Sequence, residues 1–220
     1  MARKPADQSV SRKEIIVAAA DVLHRNGYEA TTMKDIAAEV NLTAASLYHH
    51  FRSKDMLLLA VLEGGIDLVI ELIEPIAADD GRTHAQRLEE MIKVHIYMVT
   101  QNTAVGAAMI FEIRPLMGFK MGGRYSGGAS GKHSALFNER RQAFFAKRDH
   151  FEKQYRDVVQ AGISAGEFRV VDVPIFVKTM LGSNNWVAVW YKEGGRLDGE
   201  QVASMVADTF VQSLRVSGGD

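Results

Sequence analysis

Apolar residues recur along the chain at spacings of three and four with no sustained alternation, a pattern that predicts helices throughout and no sheet. The first stripe is Ile15, Ala18, Ala19, Val22 and Leu23, opened by Ser11 as N-cap and closed at Asn26-Gly27, where the chain needs a left-handed residue. Thr32 caps a short helix with Asp35 in the capping-box position, Asn41 turns the chain, and Thr43 caps a second short helix. Ser53 opens a helix over 54–74 that Pro75 is expected to stop. Helices over 83–101, 104–114, 134–165, 173–191 and 198–216 follow, the second of them closed by Pro115. The glycine- and serine-rich stretch 118–132 reads as a mobile loop. The expected fold class is all-α, about nine helices in two units, 1–54 and 55–220.

Residues 32–54 carry the tightest local constraint. Two helices of about two turns, crossing steeply over a turn of about three residues, need a small residue where they touch and apolar residues around it. Ala37 is the small residue, and Ile36, Val40, Leu42, Leu47 and Phe51 make the buried side. Ala44, Ala45, Ser46 and His49 are left on the outward side of the second helix. Short side chains there let a helix backbone approach base edges in a DNA major groove about 12 Å wide. Thr32, Lys34, Thr43, Tyr48, His49 and Lys54 are placed to hold phosphates on either side. Two short core helices of an ordinary bundle would show the same pattern.

Composition narrows the classes. The apolar residues, 47% of the chain, are broken by charge and never run to the ~20 that span a bilayer, and the polar 1–11 segment is no signal peptide, so a cytoplasmic protein is expected. Without cysteine there is no disulfide framework, thiolate nucleophile or zinc knuckle. His49 and His50 are adjacent and point apart on a helix, and the other histidines lack the spacing of a helical metal pair. With no G-x-S-x-G motif either, catalysis, a metal site and a resident cofactor are not expected. The net charge of −1 hides three blocks: +2 over 1–54, −6 over 55–117 and +6 over 118–148. A weakly basic first block fits DNA contact without demanding it.

Residues 27–37 (Gly-Tyr-Glu-Ala-Thr-Thr-Met-Lys-Asp-Ile-Ala) and 46–55 (Ser-Leu-Tyr-His-His-Phe-Arg-Ser-Lys-Asp) resemble the signature of the TetR family of bacterial repressors, without a gap over 11–71. Asn41 stands where that family often has glycine, and asparagine tolerates the same turn. The resemblance implies a three-helix, helix-turn-helix DNA-binding domain over 1–54 and an all-helical ligand-binding and dimerisation domain over 55–220, whose last two helices form a four-helix bundle with a twin. The residues point the same way, because helix 173–191 is apolar on nearly every side and must be covered on two faces. Phe176, Met180, Val187, Met205 and Phe210 are the expected dimer contacts; a single large monomeric core is the alternative.

Residues 75–170 must supply any signal the protein reads. Met91, His95, Met98, Met109, Phe111, Phe144, Trp186 and Trp190 could line an apolar cavity or simply be packed core. Lys120, Arg124, Lys132, Arg140, Arg141, Lys147 and Arg148, the +6 block, suit a polyanionic ligand head or a solvated basic face. The run 181–197 resembles the TetR subgroup controlling fatty-acid, phenylacetate and sterol-ring breakdown, whose effectors are acyl-coenzyme A thioesters; the glycine-rich insertion departs from it. Expected ligand contacts are therefore Met98, Met109, Phe111, Phe144, Trp186 and Trp190 with Arg140, Arg141 and Arg148. The expected function is a homodimeric repressor released from a near-palindromic, double-stranded operator by a small effector. Alternatives are an efflux repressor induced by hydrophobic drugs, a nonspecific architectural DNA protein, and a helical enzyme.

Overall fold

The computed structural model describes residues 10–111, 113–117 and 131–216. Among them the chain forms α1 (Arg12–Ala30), α2 (Met33–Glu39), α3 (Ala44–His50), α4 (Lys54–Ala77), α5 (His84–Gln101), α6 (Thr103–Phe111), α7 (Arg114–Met117), α8 (Gly131–Ser164), α9 (Val173–Trp190) and α10 (Gly199–Ser213). Most of the stretch expected as a mobile loop lies outside the described residues. The only β-type pairing among them is the isolated bridge between Phe168 and Arg215, and no described helix is long and apolar enough to cross a membrane.

The helix starts follow their caps. Ser11, Thr32, Thr43 and Ser53 each accept a backbone N–H three residues on, and Glu14 and Asp35 complete capping boxes that hold their carboxyls below the usual range. Gly27 (φ 74°) interrupts α1 where a left-handed residue is needed, and Asn41 (φ 55°) turns the chain between α2 and α3. Two proline readings need correction. α4 runs through Pro75, because so near the helix end it deletes one hydrogen bond while Ala78 N–H still closes the last turn on Glu74 O at 3.1 Å. Pro115 begins α7 instead of closing a helix over 104–114: α6 ends at Phe111, and a first-turn position loses no intrahelical bond to proline.

Helices α1 to α3 form a small head around Ile15, Ala19, Leu23, Ile36, Leu47 and Phe51, all at most 2% exposed. In the body, α5 is surrounded by α4, α8, α9 and α10, and head meets body where α1 packs on α4 and α6. The acidic and basic blocks face each other: Arg140 pairs with Glu63, Lys147 with Asp67 (2.6 Å) and His150 with Glu74 (2.8 Å), tying α8 along α4. Such partly exposed pairs add little stability singly, but they fix which faces meet.

The end of α8 is clasped to its neighbours. Glu167 accepts from Ala85 N–H at 3.2 Å and meets His84 Nδ1 at 2.7 Å, and Arg169 N–H donates to Leu214 O at 2.8 Å. Phe168 lies so close to Gly162 that a β-carbon there would sit 2.3 Å from its ring. Gly162→Ala is therefore expected to destabilise the protein by about 1–3 kcal/mol, the usual cost of overpacking, read as a lower urea midpoint with an unchanged slope.

Candidate nucleic-acid interface and ligand cavity

Helix α3 is presented by a turn with few alternatives. Leu42 N–H donates to Ala37 O at 2.8 Å and Asn41 N–H to Ala38 O at 3.1 Å, while buried Ala37 and Leu47 set the crossing. The outward residues stand as the sequence suggests: Lys34, Thr43, Ala45, Tyr48 and His49 are exposed, Ala44 and Ser46 half-buried. Together they form one face of short side chains edged by a lysine, a phenol and an imidazole, a shape and chemistry suited to a groove.

Two expected phosphate contacts are otherwise engaged. The Lys54 ammonium donates to Tyr28 O at 2.6 Å and Thr31 O at 2.8 Å and lies 4.1 Å from the centre of the Tyr28 ring. The Lys54 ammonium thus satisfies carbonyls at the end of α1. Thr32 spends its hydroxyl (2.7 Å) and its N–H (2.8 Å) on the Asp35 carboxylate. Thr43 Oγ1 accepts from Ser46 N–H at 3.1 Å and keeps its own hydrogen for a partner.

Between head and body lies a cavity of about 800 Å³, walled by α1, α4, α5, α6, α8 and α9. Of the expected ligand contacts it takes in Met98, Met109 and Arg148, and His95 from the wider candidate set. Arg148 is half-buried and makes no hydrogen bond or close ion pair among the described residues; burial lowers its pKa, opposed by Asp149 and Glu152. Arg12, Lys13 and Lys178 also line the wall, Arg12 stacked 4.6 Å over the Phe51 ring and Lys178 paired with Glu152 at 3.1 Å. His95 is 5% exposed, and burial pushes its imidazole down to about 4, opposed by a hydrogen bond that its N–H donates to the Asn185 side chain.

The other expected ligand contacts are placed elsewhere. Arg140 is bound to Glu63, and Arg141 donates to Leu116 O at 3.1 Å, so these two cations answer α4 and α7, while Lys120, Arg124 and the Lys132 side chain lie outside the described residues. Phe144 is fully buried in the core. Trp186 and Trp190 stand half exposed (50% and 49%) on the outer side of α9, and Phe111, also exposed, meets Trp186 edge to face at 6.2 Å. Expected dimer contacts shift in the opposite sense: Met180 and Val187 are at most 1% exposed and face the interior. Met205 is exposed, while Phe176 and Phe210 are half-buried against each other at 6.0 Å. The outer apolar face is thus Ile175, Trp186, Val189 and Trp190 with Met205.

Sequence reasoning missed Arg12, Lys13 and Asn185, and it missed the glycines. Gly64 and Gly65 interrupt a strong helix former in mid-helix, each costing roughly 1 kcal/mol against alanine. That is the signal a cavity leaves, since a β-carbon at Gly64 would meet nothing within 4 Å.

Comparison with known proteins agrees with this geometry. Residues 15–61 match the family model for bacterial regulatory proteins of the tetR family, and 129–214 a tetracyclin repressor-like C-terminal domain. The HTH-type transcriptional repressor KstR2 of Rhodococcus jostii is 27% identical, with 97% of this chain and 98% of that protein covered. The structure of the ketosteroid transcriptional regulator KstR2 of Mycobacterium tuberculosis superposes with a TM-score of 0.77 at 21% identity, over 98% of this chain and all of that one. AibR in complex with isovaleryl coenzyme A and operator DNA aligns with a TM-score of 0.69 at 27% identity, over 90% of this chain and 96% of that one.

Lys54 and Lys34 should separate in experiment. Lys54→Met is expected to lower stability by about 1–3 kcal/mol by stripping two carbonyls of their donor, whereas Lys34→Ala should leave the melting temperature unchanged and weaken DNA binding with a shallower salt dependence. Acid should act through His95. Its folded pKa lies below its unfolded value of 6.5, so its contribution is intact above pH 6.5 and declines as pH falls toward 4, by up to roughly 3 kcal/mol. His95→Phe should flatten that part of the stability profile, measured by urea denaturation at successive pH values.

Proposed function

The chain belongs to the TetR family of bacterial regulatory proteins, and we propose that it is a homodimeric repressor released from a near-palindromic operator by an acyl-coenzyme A thioester. It is a DNA-binding transcriptional regulator and not an enzyme. The observation that carries the effector reading is the cavity, because its walls come from both the head and the body. A ligand there touches α1 of the head as well as α8 and α9 of the body, so its binding energy depends on how the two sit together. A difference of about 1–3 kcal/mol between two head positions changes operator affinity ~5–150-fold.

Thioester chemistry fits the lining. Met98, Met109, Val99 and Leu181 offer an adaptable apolar wall for an acyl chain, and Lys13 and Arg148 offer charge to phosphates. The chain's 27% identity to a protein crystallised with isovaleryl coenzyme A and operator DNA supports the same class. Arg140, Arg141 and Lys147 are held internally, so of the +6 block it is Arg148, with Lys13 from α1, that favours an anionic ligand over a neutral hydrophobic drug. The outer face of α9 and α10 is the surface a twin copy covers, and the two recognition helices then fall about one DNA turn apart, roughly 34–36 Å.

The decisive test is operator binding by the purified protein, sedimenting as a dimer, with a panel of acyl-coenzyme A thioesters, the matching free acids and hydrophobic drugs. A thioester is expected to weaken operator binding ~5–150-fold where the free acid does not. Gly64→Phe, which projects a ring into the cavity, should bind operator normally and lose the response. Release by drugs alone, or by nothing in the panel, would remove the acyl-coenzyme A reading.

A further inference from the structure

Deep in the cavity wall is a cluster of uncharged polar side chains, where His95 of α5 meets Asn184 and Asn185 of α9. His95 and Asn185 line the cavity. Asn184 lies behind them, fully buried, with its amide Nδ2 at 3.4 Å from His95 Nδ1 and its Oδ1 without a hydrogen-bond partner among the described residues. The imidazole packs edge-on against Phe151, ring centres 5.2 Å apart at 88°. Tyr155, its other aromatic neighbour, has already given its hydroxyl to Met91 O at 3.0 Å.

This cluster is a poor way to fill a core. Leucine or phenylalanine would occupy the same space without desolvating an imidazole and two carboxamides, and without stranding a carbonyl oxygen. Around it, α5 and α9 are already joined by Ile92, Val99, Val177 and Leu181, all buried. A polar group kept in an apolar wall is explained by a partner that arrives with the ligand.

We infer that His95, with Asn185 beside it, reads a neutral oxygen, a keto or hydroxyl group, carried on the otherwise apolar body of the effector. The inference rests on the effector reading of the cavity and deepens it. Burial keeps the ring neutral at physiological pH, so it offers one N–H and one lone pair. With the Asn184 amide donating to Nδ1, the proton resides on Nε2, where it can donate to the Asn185 carboxamide or to an oxygen brought by the effector. Asn185 brings a second carboxamide to the same wall, able to accept from a hydroxyl or donate to a carbonyl. A plain hydrocarbon chain would leave these groups dehydrated and unpaired, which is how a site built for hydrogen bonding rejects the analogue that lacks the oxygen.

The test is calorimetric titration of the full chain with decanoyl-coenzyme A and with decanoyl thioesters bearing one keto or hydroxyl oxygen at successive chain positions. The best oxygenated thioester is expected to bind about tenfold more tightly than decanoyl-coenzyme A, equivalent to about 1.4 kcal/mol. In His95→Phe and Asn185→Leu that preference should collapse to about twofold or less, because the apolar replacements no longer penalise the plain chain and no longer reward the oxygen. The comparison within the wild type needs no variant, so it decides the matter even if a substitution fails to fold. Equal affinity of wild type for plain and oxygenated thioesters overturns this inference and leaves the effector reading standing; no binding of any thioester overturns both.

Discussion

The Lys54 ammonium, set between the Tyr28 and Thr31 carbonyls, joins the end of α1 to the start of α4. The Tyr28 hydroxyl hydrogen-bonds to Asp55 and closes the same joint from the other side. Because Lys54 is the first residue of α4, this joint fixes where a helix of 24 residues leaves the head and in which direction. The other features of α4 depend on that direction: Glu63, Asp67 and Glu74 reach their partners on α8, Gly65 falls against Val105 of α6, and Gly64 faces open space in the cavity wall. A charge that reads in sequence as a phosphate contact is engaged by two backbone carbonyls at the joint between α1 and α4.

The consequence is an unequal distribution of stiffness. The body is closed around α5, with α10 seated so tightly that a β-carbon at Gly199 would meet Thr100 Oγ1 at 2.4 Å. Between head and body the packing is incomplete, and the cavity occupies the gap. A close-packed interface resists small displacements, while a partly filled one has lost contacts on one side and yields first. The proposed ligand site therefore coincides with the least tightly packed contact between head and body.

Local chemistry was legible in the sequence, and long-range pairing was not. Caps at Ser11, Thr32, Thr43 and Ser53 and the left-handed turns at Gly27 and Asn41 depend on neighbours within four residues, and each stands where the sequence puts it. Trp186 and Met180 show the opposite case. An all-apolar α9 declares that two faces are covered, but both residues are apolar, and nothing local decides which of them turns toward α5 and which toward solvent. The basic block was visible as charge; its partners on α4 lie 76 to 80 residues away and become partners only once the helices are stacked. In the cavity, Met98, Met109 and Arg148 were found by chemical type, while Asn185 and Lys13 carried no pattern to mark them.

The bare recognition face gives the joint at Lys54 its functional weight. Ala44 and Ala45 have no side-chain group to hydrogen-bond a base edge, and Thr32 is closed by its own capping box, so the proposed reading falls to few side chains: Lys34, Tyr48 and His49 at the margins of α3 and Thr43 at its start. A surface of that kind gains its affinity from close backbone approach and phosphate contact, both of which fall away steeply if the helix is tilted or displaced. Two such surfaces held at a fixed separation discriminate by spacing what neither discriminates by side chain. In the proposed dimer a small rotation about the α1–α4 joint would suffice to end recognition, with no internal rearrangement of the head.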